Sequence, residues 1–305
     1  MARPQYYVEG YLLAKRLEGL SAYTLRTYTQ RLALFAEYIG NKDVADLTTA
    51  DVRGYLATRQ GKVGMTTLAT ECRILRTFLN WLKAEDIIKT NCADRVKLSR
   101  APVTVIPTFS ESDIKDLLTL CPAKTFLGTR NHFLILLLLD TGMRIGEVSR
   151  LTWADIAEDM VKVSGKGSKE RWVRMGTVTQ KALWRYGLYR NGYDSLWLSE
   201  ERRPMTLDGL KLTICKLCRR AGLKGPRRSA HTFRHTFATN WLRNGGGEFV
   251  LQQLLGHSTL TMTRRYVQSL NAEDAAAAHV KYSPVDNLLG PTSARRTSPA
   301  RISPR

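Results

Sequence analysis

The sequence predicts a mainly α-helical protein of two domains with one small antiparallel β-sheet. Apolar residues recur at helical spacing along most of the chain, and serine, threonine and glycine residues stand where helices would begin and end. A stretch with two prolines and no helical period interrupts this pattern between Val96 and Pro107. The segment from Met160 to Met175 instead alternates with a period of two around a glycine-containing turn, which is typical of a β-hairpin.

The composition favours a polyanionic partner. The chain has 305 residues, with 47 Lys and Arg against 27 Asp and Glu, which gives a formal net charge of +20. A protein this basic attracts nucleic acid first and an anionic membrane surface second. No apolar run approaches the ~20 residues that cross a bilayer, and the first residues lack the pattern of a secretory signal. We therefore expect a cytoplasmic protein that associates with DNA and not with a membrane.

The cysteines and histidines predict neither a disulfide framework nor a metal site. The five cysteines are scattered and odd in number, as expected of reduced thiols. Cys215 and Cys218 form a C-x-x-C pair inside a helical pattern, without a second pair at zinc spacing, so we assign them to helix packing. His231 and His235 are four residues apart, but no glutamate lies between them to suggest a zinc motif. We expect no metal and no other cofactor.

Residues 1–98 form the predicted amino-terminal helical domain. Its last helix, over residues 66–84, keeps Arg73, Arg76 and Lys83 off the apolar face, so these are candidates for contacts to DNA phosphates. Ordinary solvation of a helix surface is the alternative for each of them. The preceding helices are predicted over Tyr7–Leu17, from a cap at Ser21 to near Gly40, and from a cap at Thr48 or Thr49.

An interdomain linker is predicted over residues 99–106, because this basic, proline-containing stretch has no helical period. Lys97, just before the linker, and Arg100, within it, are further candidates for DNA contacts. The second domain is predicted to span residues 107–287. Residues 288–305, rich in Ser, Pro and Arg, contain too little apolar surface to fold alone and are predicted to be a disordered basic tail.

The second domain begins with three predicted helices and continues with the hairpin. Lys166 lies at the predicted hairpin tip, and Lys169 and Arg171 on its second strand are candidates for DNA contacts. The predicted elements are a helix from a cap at Ser110 to Leu120, a buried helix over Arg130–Thr141, a helix from Met143 to Leu151, a strand-like segment over residues 195–199, and helices over Thr179–Tyr189 and Thr206–Leu223.

The segment from Ser229 to Val267 concentrates residues that are able to do chemistry. His231 and Arg234 are three apart and share one face of a predicted helix, while apolar residues occupy the opposite face. A second short helix ends at Gly256, which leaves His257 just beyond it, and Tyr266 follows nine residues later.

Taken in chain order, six residues resemble the active-site set of the tyrosine recombinases, also called the phage integrase family. The motifs TGMRIGE, GKGSKER, HTFRH and LLGHS, and the tyrosine nine residues after the last histidine, occur in the order of the family. Each of these residues alone has an ordinary structural explanation. The four motifs and the tyrosine, occurring together in this order, do not. The histidine at the fifth position is typical of Xer-type and mobile-element integrases. The six residues are Arg144, Lys166, His231, Arg234, His257 and Tyr266.

The resemblance implies a SAM-like core-binding domain, a DNA breaking-rejoining catalytic domain and a site-specific recombinase that works through a 3′-phosphotyrosine. Arg144 and Arg234 would clamp the scissile phosphate, because guanidinium forks match its oxygens. Tyr266 would be the nucleophile. The remaining roles are Lys166 as the acid for the leaving 5′ oxygen, His231 and His257 as hydrogen-bond donors of which either helps to take the tyrosine proton, Glu147 as a brace, and His235 as a structural residue.

The implied partner is double-stranded DNA with paired half-sites. Four protomers would bind it in the synaptic complex, and the protein would be a monomer when it is not bound to DNA. Binding is expected to weaken steeply with salt. Two alternatives stay open: a type IB topoisomerase-like enzyme that nicks and reseals, and a non-catalytic architectural protein of the same fold. The residues indicate neither the target sequence nor the biological role, nor whether Ala272–Asn287 docks on its own domain or on a neighbour.

Overall fold

A computed structural model describes residues 4–99, 107–165, 170–190, 192–225, 228–268 and 274. The chain divides into two compact units, Met1–Thr104 and Val105–Arg305. Each unit has its own hydrophobic core. The described residues are mostly helical, with a three-stranded antiparallel sheet, which confirms the predicted fold class. No helix among them is long and apolar enough to span a bilayer.

The described part of the first unit contains four helices that share one core. The N-cap predicted at Ser21 is confirmed, since its side chain accepts a hydrogen bond from the backbone N–H of Thr24. Thr48, rather than Thr49, caps the third helix, where it forms a capping box with Asp51. The helices are α1 (Pro4–Leu17), α2 (Ala22–Ile39), α3 (Thr49–Arg59) and α4 (Met65–Ala84).

A buried carboxylate ties α2, α3 and α4 together. The side chain of Glu71, on α4, is 1% exposed. Arg31 of α2 donates to it at 3.0 Å, and Arg59 of α3 donates through Nε at 3.1 Å and Nη2 at 3.0 Å. Burial, followed by the charge of Glu71, raises the pKa of the neighbouring Tyr55 to about 12, so the phenol stays neutral. The two guanidiniums therefore supply the positive charge that a buried carboxylate requires.

Replacing Glu71 with alanine is expected to destabilise the first unit by about 3 kcal/mol, because it leaves two guanidiniums without their carboxylate. Urea unfolding of the full chain, followed by tyrosine and tryptophan fluorescence, measures the shift. Glu18→Ala is the matched control, since Glu18 forms only an exposed pair with Lys15 and its loss should cost under about 1 kcal/mol. Equal midpoints for the two variants would contradict the assignment.

The second unit is built around α6, a helix that is apolar nearly all round. Its residues Phe133, Leu134 and Leu137 are fully buried. The helix begins earlier than predicted, because Thr125 caps it by accepting a hydrogen bond from the N–H of Gly128. The helices of this unit are α5 (Glu111–Thr119), α6 (Phe126–Thr141), α7 (Ile145–Val148), α8 (Thr177–Gly187), α9 (Leu207–Arg220), α10 (Ala230–Arg243), α11 (Glu248–Leu255) and α12 (Leu260–Val267).

The predicted hairpin is confirmed as two strands of the sheet, β2 (Met160–Ser164) and β3 (Glu170–Arg174), paired in register at Val161 and Val173. A two-residue strand, β1 (Ile156–Ala157), which the sequence pattern did not predict, completes the sheet on the other side of β2. The strand-like residues 195–199 form only isolated bridges, of Ser195 to Thr152 and of Leu198 to Pro204. They serve to bury Trp197 in the core.

The helix that follows α6 is shorter than the sequence pattern predicts. The helix predicted from Met143 to Leu151 is the single turn α7, which ends at Val148. The carbonyl of Val148 accepts a 2.6 Å hydrogen bond from the indole N–H of Trp197 instead of continuing the α-helical hydrogen-bond pattern. Cys218 is buried in the core on α9, and all five cysteines are free thiols. The predicted helix over Ala272–His279 and the tail lie outside the described residues, apart from Asp274.

Candidate active site

The site is assembled where α6, α10, α11 and α12 meet. Phe237 of α10, Leu251 and Leu255 of α11, and Tyr266 of α12 form a small apolar cluster. Gly142 ends α6 in the left-handed conformation with φ +60°. A side chain at Gly142 would collide with Phe237 and Leu255, so glycine is needed there for the close approach as well as for the turn. This packing brings the start of α7 against α10 and α11.

Arg234 lies inside the site and is fixed by two backbone carbonyls. The residue is 4% exposed, and its guanidinium donates to the oxygens of Gly142 and Leu255, both at 2.8 Å. Burial, together with the charge of Arg144, lowers the pKa of Arg234 to about 10. The guanidinium is therefore still charged at neutral pH, in a position where few water molecules screen it.

Arg144 stands at the N-cap of α7 and faces the same centre. Its guanidinium donates to Glu147 at 3.1 Å and to the carbonyl of Leu255 at 3.4 Å. Its backbone N–H donates to the other carboxylate oxygen of Glu147 at 2.8 Å. The Arg144 side chain keeps 38% of its surface exposed, so one side of the guanidinium stays open to an anion.

Glu147 braces two arginines at once. Its side chain is 5% exposed and accepts from Arg171 at 3.1 and 2.8 Å, as well as from Arg144. Burial on its own would raise the pKa of Glu147, but the hydrogen bonds and charges of Arg171 and Arg144 lower it overall. The carboxylate is therefore ionised at neutral pH. The sequence analysis named Glu147 as a brace, and the structure places its carboxylate against the guanidiniums of Arg144 and Arg171.

Arg171 is a correction to the predicted DNA contacts. Its guanidinium is paired with Glu147 on two nitrogens, and its Nε donates to the carbonyl of Leu254 at 2.9 Å. A side chain engaged on three donors, and only 16% exposed, is not free to follow a DNA backbone. Arg171 instead ties strand β3 to α7 and to the end of α11.

The carboxyl end of α11 accepts hydrogen bonds from three arginines. Arg171 donates to Leu254, and both Arg144 and Arg234 donate to Leu255. The last carbonyls of a helix lack partners within the helix and carry a partial negative charge. Gly256, at φ +61°, ends α11 at this point. The carbonyls at the end of α11 therefore offset part of the repulsion among these three guanidiniums. The carboxylate of Glu147 offsets a further part, for Arg144 and Arg171.

Tyr266 points into this cluster from α12. The residue is 4% exposed, and its hydroxyl lies 3.1 Å from Nδ1 of His235. Burial raises the pKa of Tyr266, and the nearby Arg234 offsets only part of this rise, so the phenol is neutral in the free protein. A cluster of guanidiniums beside a phenol is suited to stabilise the phenolate that forms during a nucleophilic attack.

Two further histidines belong to the site. The ring of His257 stacks on the ring of Tyr266, with centroids 6.3 Å apart, and its Nδ1 is 2.8 Å from Oγ1 of Thr263. Burial, with the charges of Arg234 and Arg144, lowers the pKa of His257 to about 4. His231 lies on the exposed side of α10, where partial burial followed by Arg234 and Arg144 lowers its pKa.

The structure thus brings together five of the six residues that the motifs predict: Arg144, His231, Arg234, His257 and Tyr266. Lys166 lies outside the described residues, as do Lys169 and Arg100. Two residues to which the sequence analysis gave other roles, Arg171 as a candidate for DNA contact and His235 as a structural residue, also lie in the site. Arg171 lies in the motif KER and His235 in the motif HTFRH, and this closeness to the predicted catalytic residues was the only sequence feature that pointed to them. The packing of β3 and α12 is what turns their side chains toward the site.

The predicted DNA contacts of the first unit divide into two groups. Arg73, Lys83 and Lys97 are exposed, as a phosphate contact requires. Arg76 instead donates to the carbonyls of Ala93 and Val96, so its guanidinium anchors the segment that follows α4. Since those two bonds hold the end of the unit in place, Arg76 has a structural role.

The fold and the site define a protein that places a buried tyrosine among cations suited to an anionic phosphoryl group. The sequence matches the profile of the phage integrase family over residues 107–273 and that of the phage integrase N-terminal SAM-like domain over residues 8–86. Tyrosine recombinase XerC of Bacillus pumilus is 31% identical over 267 residues, which cover 82% of this chain and 87% of the relative. Tyrosine recombinase XerD of Ralstonia nicotianae is 28% identical over 281 residues, covering 88% of this chain and 90% of the relative.

Solved structures show the same architecture. The Tn1549 transposon integrase, in complex with a circular intermediate DNA, has a TM-score of 0.77 at 18% identity, covering 92% of this chain and 99% of that one. At that identity the likeness is one of fold. The XerA recombinase has a TM-score of 0.51 at 25% identity, with 92% of this chain and 99% of that one covered. The chain therefore belongs to the phage integrase family, the family of tyrosine recombinases.

Proposed function

We propose that this protein is a site-specific DNA recombinase that cleaves and rejoins DNA through a covalent 3′-phosphotyrosine at Tyr266. The observation that carries the proposal is the position of the Tyr266 hydroxyl beside the guanidinium of Arg234. A second guanidinium, that of Arg144, lies close by, because both arginines donate to the carbonyl of Leu255. Two rigid cations and a phenol at one point suit in-line attack on a phosphodiester better than they suit packing alone.

The proposed reaction exchanges one phosphoester bond for another. The Tyr266 oxygen bonds to phosphorus as the bond from phosphorus to the 5′ oxygen breaks, and the 3′-phosphotyrosine keeps the energy needed for rejoining. Arg144 and Arg234 hydrogen-bond the nonbridging oxygens, whose negative charge grows in the transition state. Removing a donor of this kind from a site typically costs about 3 kcal/mol of transition-state stabilisation. No nucleotide cofactor is needed.

The protons are assigned to groups around the phosphate. Lys166 is proposed to protonate the leaving 5′ oxygen, since a single cationic donor suits that task. His231 faces the open side of α10 and is proposed to hydrogen-bond the phosphate. Either His231 or His257 is proposed to help take the proton that Tyr266 loses as its oxygen bonds to phosphorus. His257, stacked on the ring of Tyr266, is proposed to donate a further hydrogen bond and to keep that ring in place.

Duplex DNA is the proposed partner, with residues 1–98 as a core-binding domain and residues 107–287 as the catalytic domain. The net charge of +20 supports a polyanionic ligand. The solved structures similar in fold include a lambda integrase dimer bound to a core site. Exposed Arg73, Lys83 and Lys97 are proposed to contact phosphates in the first unit. The working complex is proposed to contain four protomers on paired half-sites in the cytoplasm.

The test begins with the DNA. Duplexes that the full chain retains from a random library identify the binding site, and footprinting then gives the half-site symmetry. A nicked suicide duplex of that sequence is expected to trap a covalent protein–DNA adduct, which mass spectrometry should map to the peptide containing Tyr266. Two marked duplexes are expected to exchange strands. Relaxation of supercoiled DNA without exchange would favour a topoisomerase-like enzyme, and binding without an adduct would favour an architectural protein.

A further inference from the structure

His235 holds a contact with the tyrosine that the other two histidines of the site do not make. Its Nδ1 lies 3.1 Å from the hydroxyl of Tyr266, and the two rings are tilted at 50° with centroids 5.6 Å apart. The contact joins α10 to α12 across 31 residues of sequence. Nδ1 of His257 is instead engaged by Thr263. His231 lies one turn before His235, with its ring centroid 6.2 Å away.

The other partner of the hydroxyl favours one direction for this hydrogen bond. Arg234 also hydrogen-bonds Tyr266, and a guanidinium can only donate, so the tyrosine oxygen accepts there. The tyrosine proton then needs an acceptor, and Nδ1 of a neutral His235 supplies one. Burial, followed by the charges of His231, Arg265 and Arg234, lowers the pKa of His235 to about 4, so the ring is neutral at pH 7.

This pairing determines the orientation of the nucleophile. With its proton turned toward His235 and one lone pair toward Arg234, the hydroxyl has a single remaining lone pair. Because the His235 ring is neutral at pH 7, its Nδ1 is able to accept a hydrogen bond, but its low basicity makes it a weak proton acceptor, since a general base works best with a pKa near the working pH. His235 is therefore suited to orient Tyr266 rather than to deprotonate it.

We propose that His235 is a positioning residue for the cleavage step: its Nδ1 accepts the hydroxyl hydrogen bond of Tyr266 and aims the attacking oxygen. The inference rests on the proposed function, since it concerns the nucleophile of that reaction. It assigns to His235 a role separate from phosphate binding and from proton transfer, which stay with the other members of the site.

The test is the single-turnover rate of adduct formation on the suicide duplex, compared for wild type, His235→Ala and His235→Asn. Asparagine places Oδ1 near the position of Nδ1 and accepts a hydrogen bond but does not titrate. His235→Ala is expected to slow adduct formation about tenfold or more, as the loss of one orienting hydrogen bond implies. His235→Asn is expected to recover most of the rate. Gel shifts should give the same DNA affinity for all three proteins.

The control is His132→Asn, on α6, a histidine whose Nδ1 has no hydrogen-bond partner among the described residues. It is expected to keep the wild-type rate, which shows that a His-to-Asn change in this unit is not harmful in general. Wild-type rates in His235→Ala would overturn the inference, and so would an Asn variant as slow as the Ala variant, because a hydrogen-bond acceptor at that place would then not restore the rate. If wild type itself forms no adduct, the proposed function fails instead.

Discussion

Replacing Tyr266 with phenylalanine is expected to abolish the covalent protein–DNA adduct while leaving DNA binding within about twofold of wild type. The change removes one oxygen that no other group can replace as nucleophile in the same place. The aromatic ring, which packs with Phe237, Leu251 and Leu255, is kept. Denaturing gels of the suicide-duplex reaction measure the adduct, and gel shifts measure the affinity.

The stability of the Tyr266 variant should change little. The change removes a buried hydroxyl together with its hydrogen bonds to Arg234 and His235. We expect the free energy of unfolding to rise or fall by no more than about 1 kcal/mol. A matched control is Tyr186→Phe, because Tyr186 is a buried tyrosine that donates to the carbonyl of Leu196 at 2.8 Å, in the same unit. That control should retain the adduct. An adduct that persists in Tyr266→Phe would show that another residue is the nucleophile.

Replacing Glu147 with alanine is expected to lower the free energy of unfolding by about 3–5 kcal/mol and to reduce adduct formation strongly. The carboxylate is the shared partner of Arg144 and Arg171, and removing one member of a buried pair leaves the other charge uncompensated. Since the pairing lowers the pKa of Glu147, its stabilisation is present at neutral pH. It is lost only as the pH falls through that lowered value.

Urea unfolding gives the stability of the Glu147 variant, and the suicide duplex gives its activity. Glu170→Ala is the matched control, since Glu170 lies on the same hairpin as Arg171 but its 2.9 Å pair with Lys162 is exposed. That change should cost under about 1 kcal/mol and leave the adduct intact. If Glu147→Ala unfolds at the urea concentration of wild type, Arg144 and Arg171 do not depend on this carboxylate, and the carbonyls at the end of α11 are enough to hold them.

Local chemistry made most of the fold predictable. Caps such as Ser21 and Ser110 and the apolar spacing of α4 are properties of adjacent residues, and the structure contains them. The start of α6 was missed although Thr125 caps it through the same kind of local hydrogen bond, because Gly128, a poor helix former, lies in its first turn. The short strand β1 was missed because two residues are too few for a period-two pattern.

The sequence by itself determined the family, the helical character and the identity of the candidate catalytic residues, because motif order and spacing are local in the chain. Only the tertiary structure decided which side chains face one another. Arg171 reaches Glu147 across 24 residues, and Arg234 reaches Gly142 across 92. A basic residue near a hairpin tip therefore proved to be an internal anchor, and His235, interpreted as structural, proved to be a direct neighbour of the tyrosine hydroxyl. The reason is physical: spacing sets the face of a helix, but the packing of α10 against α11 and α12 sets what that face meets.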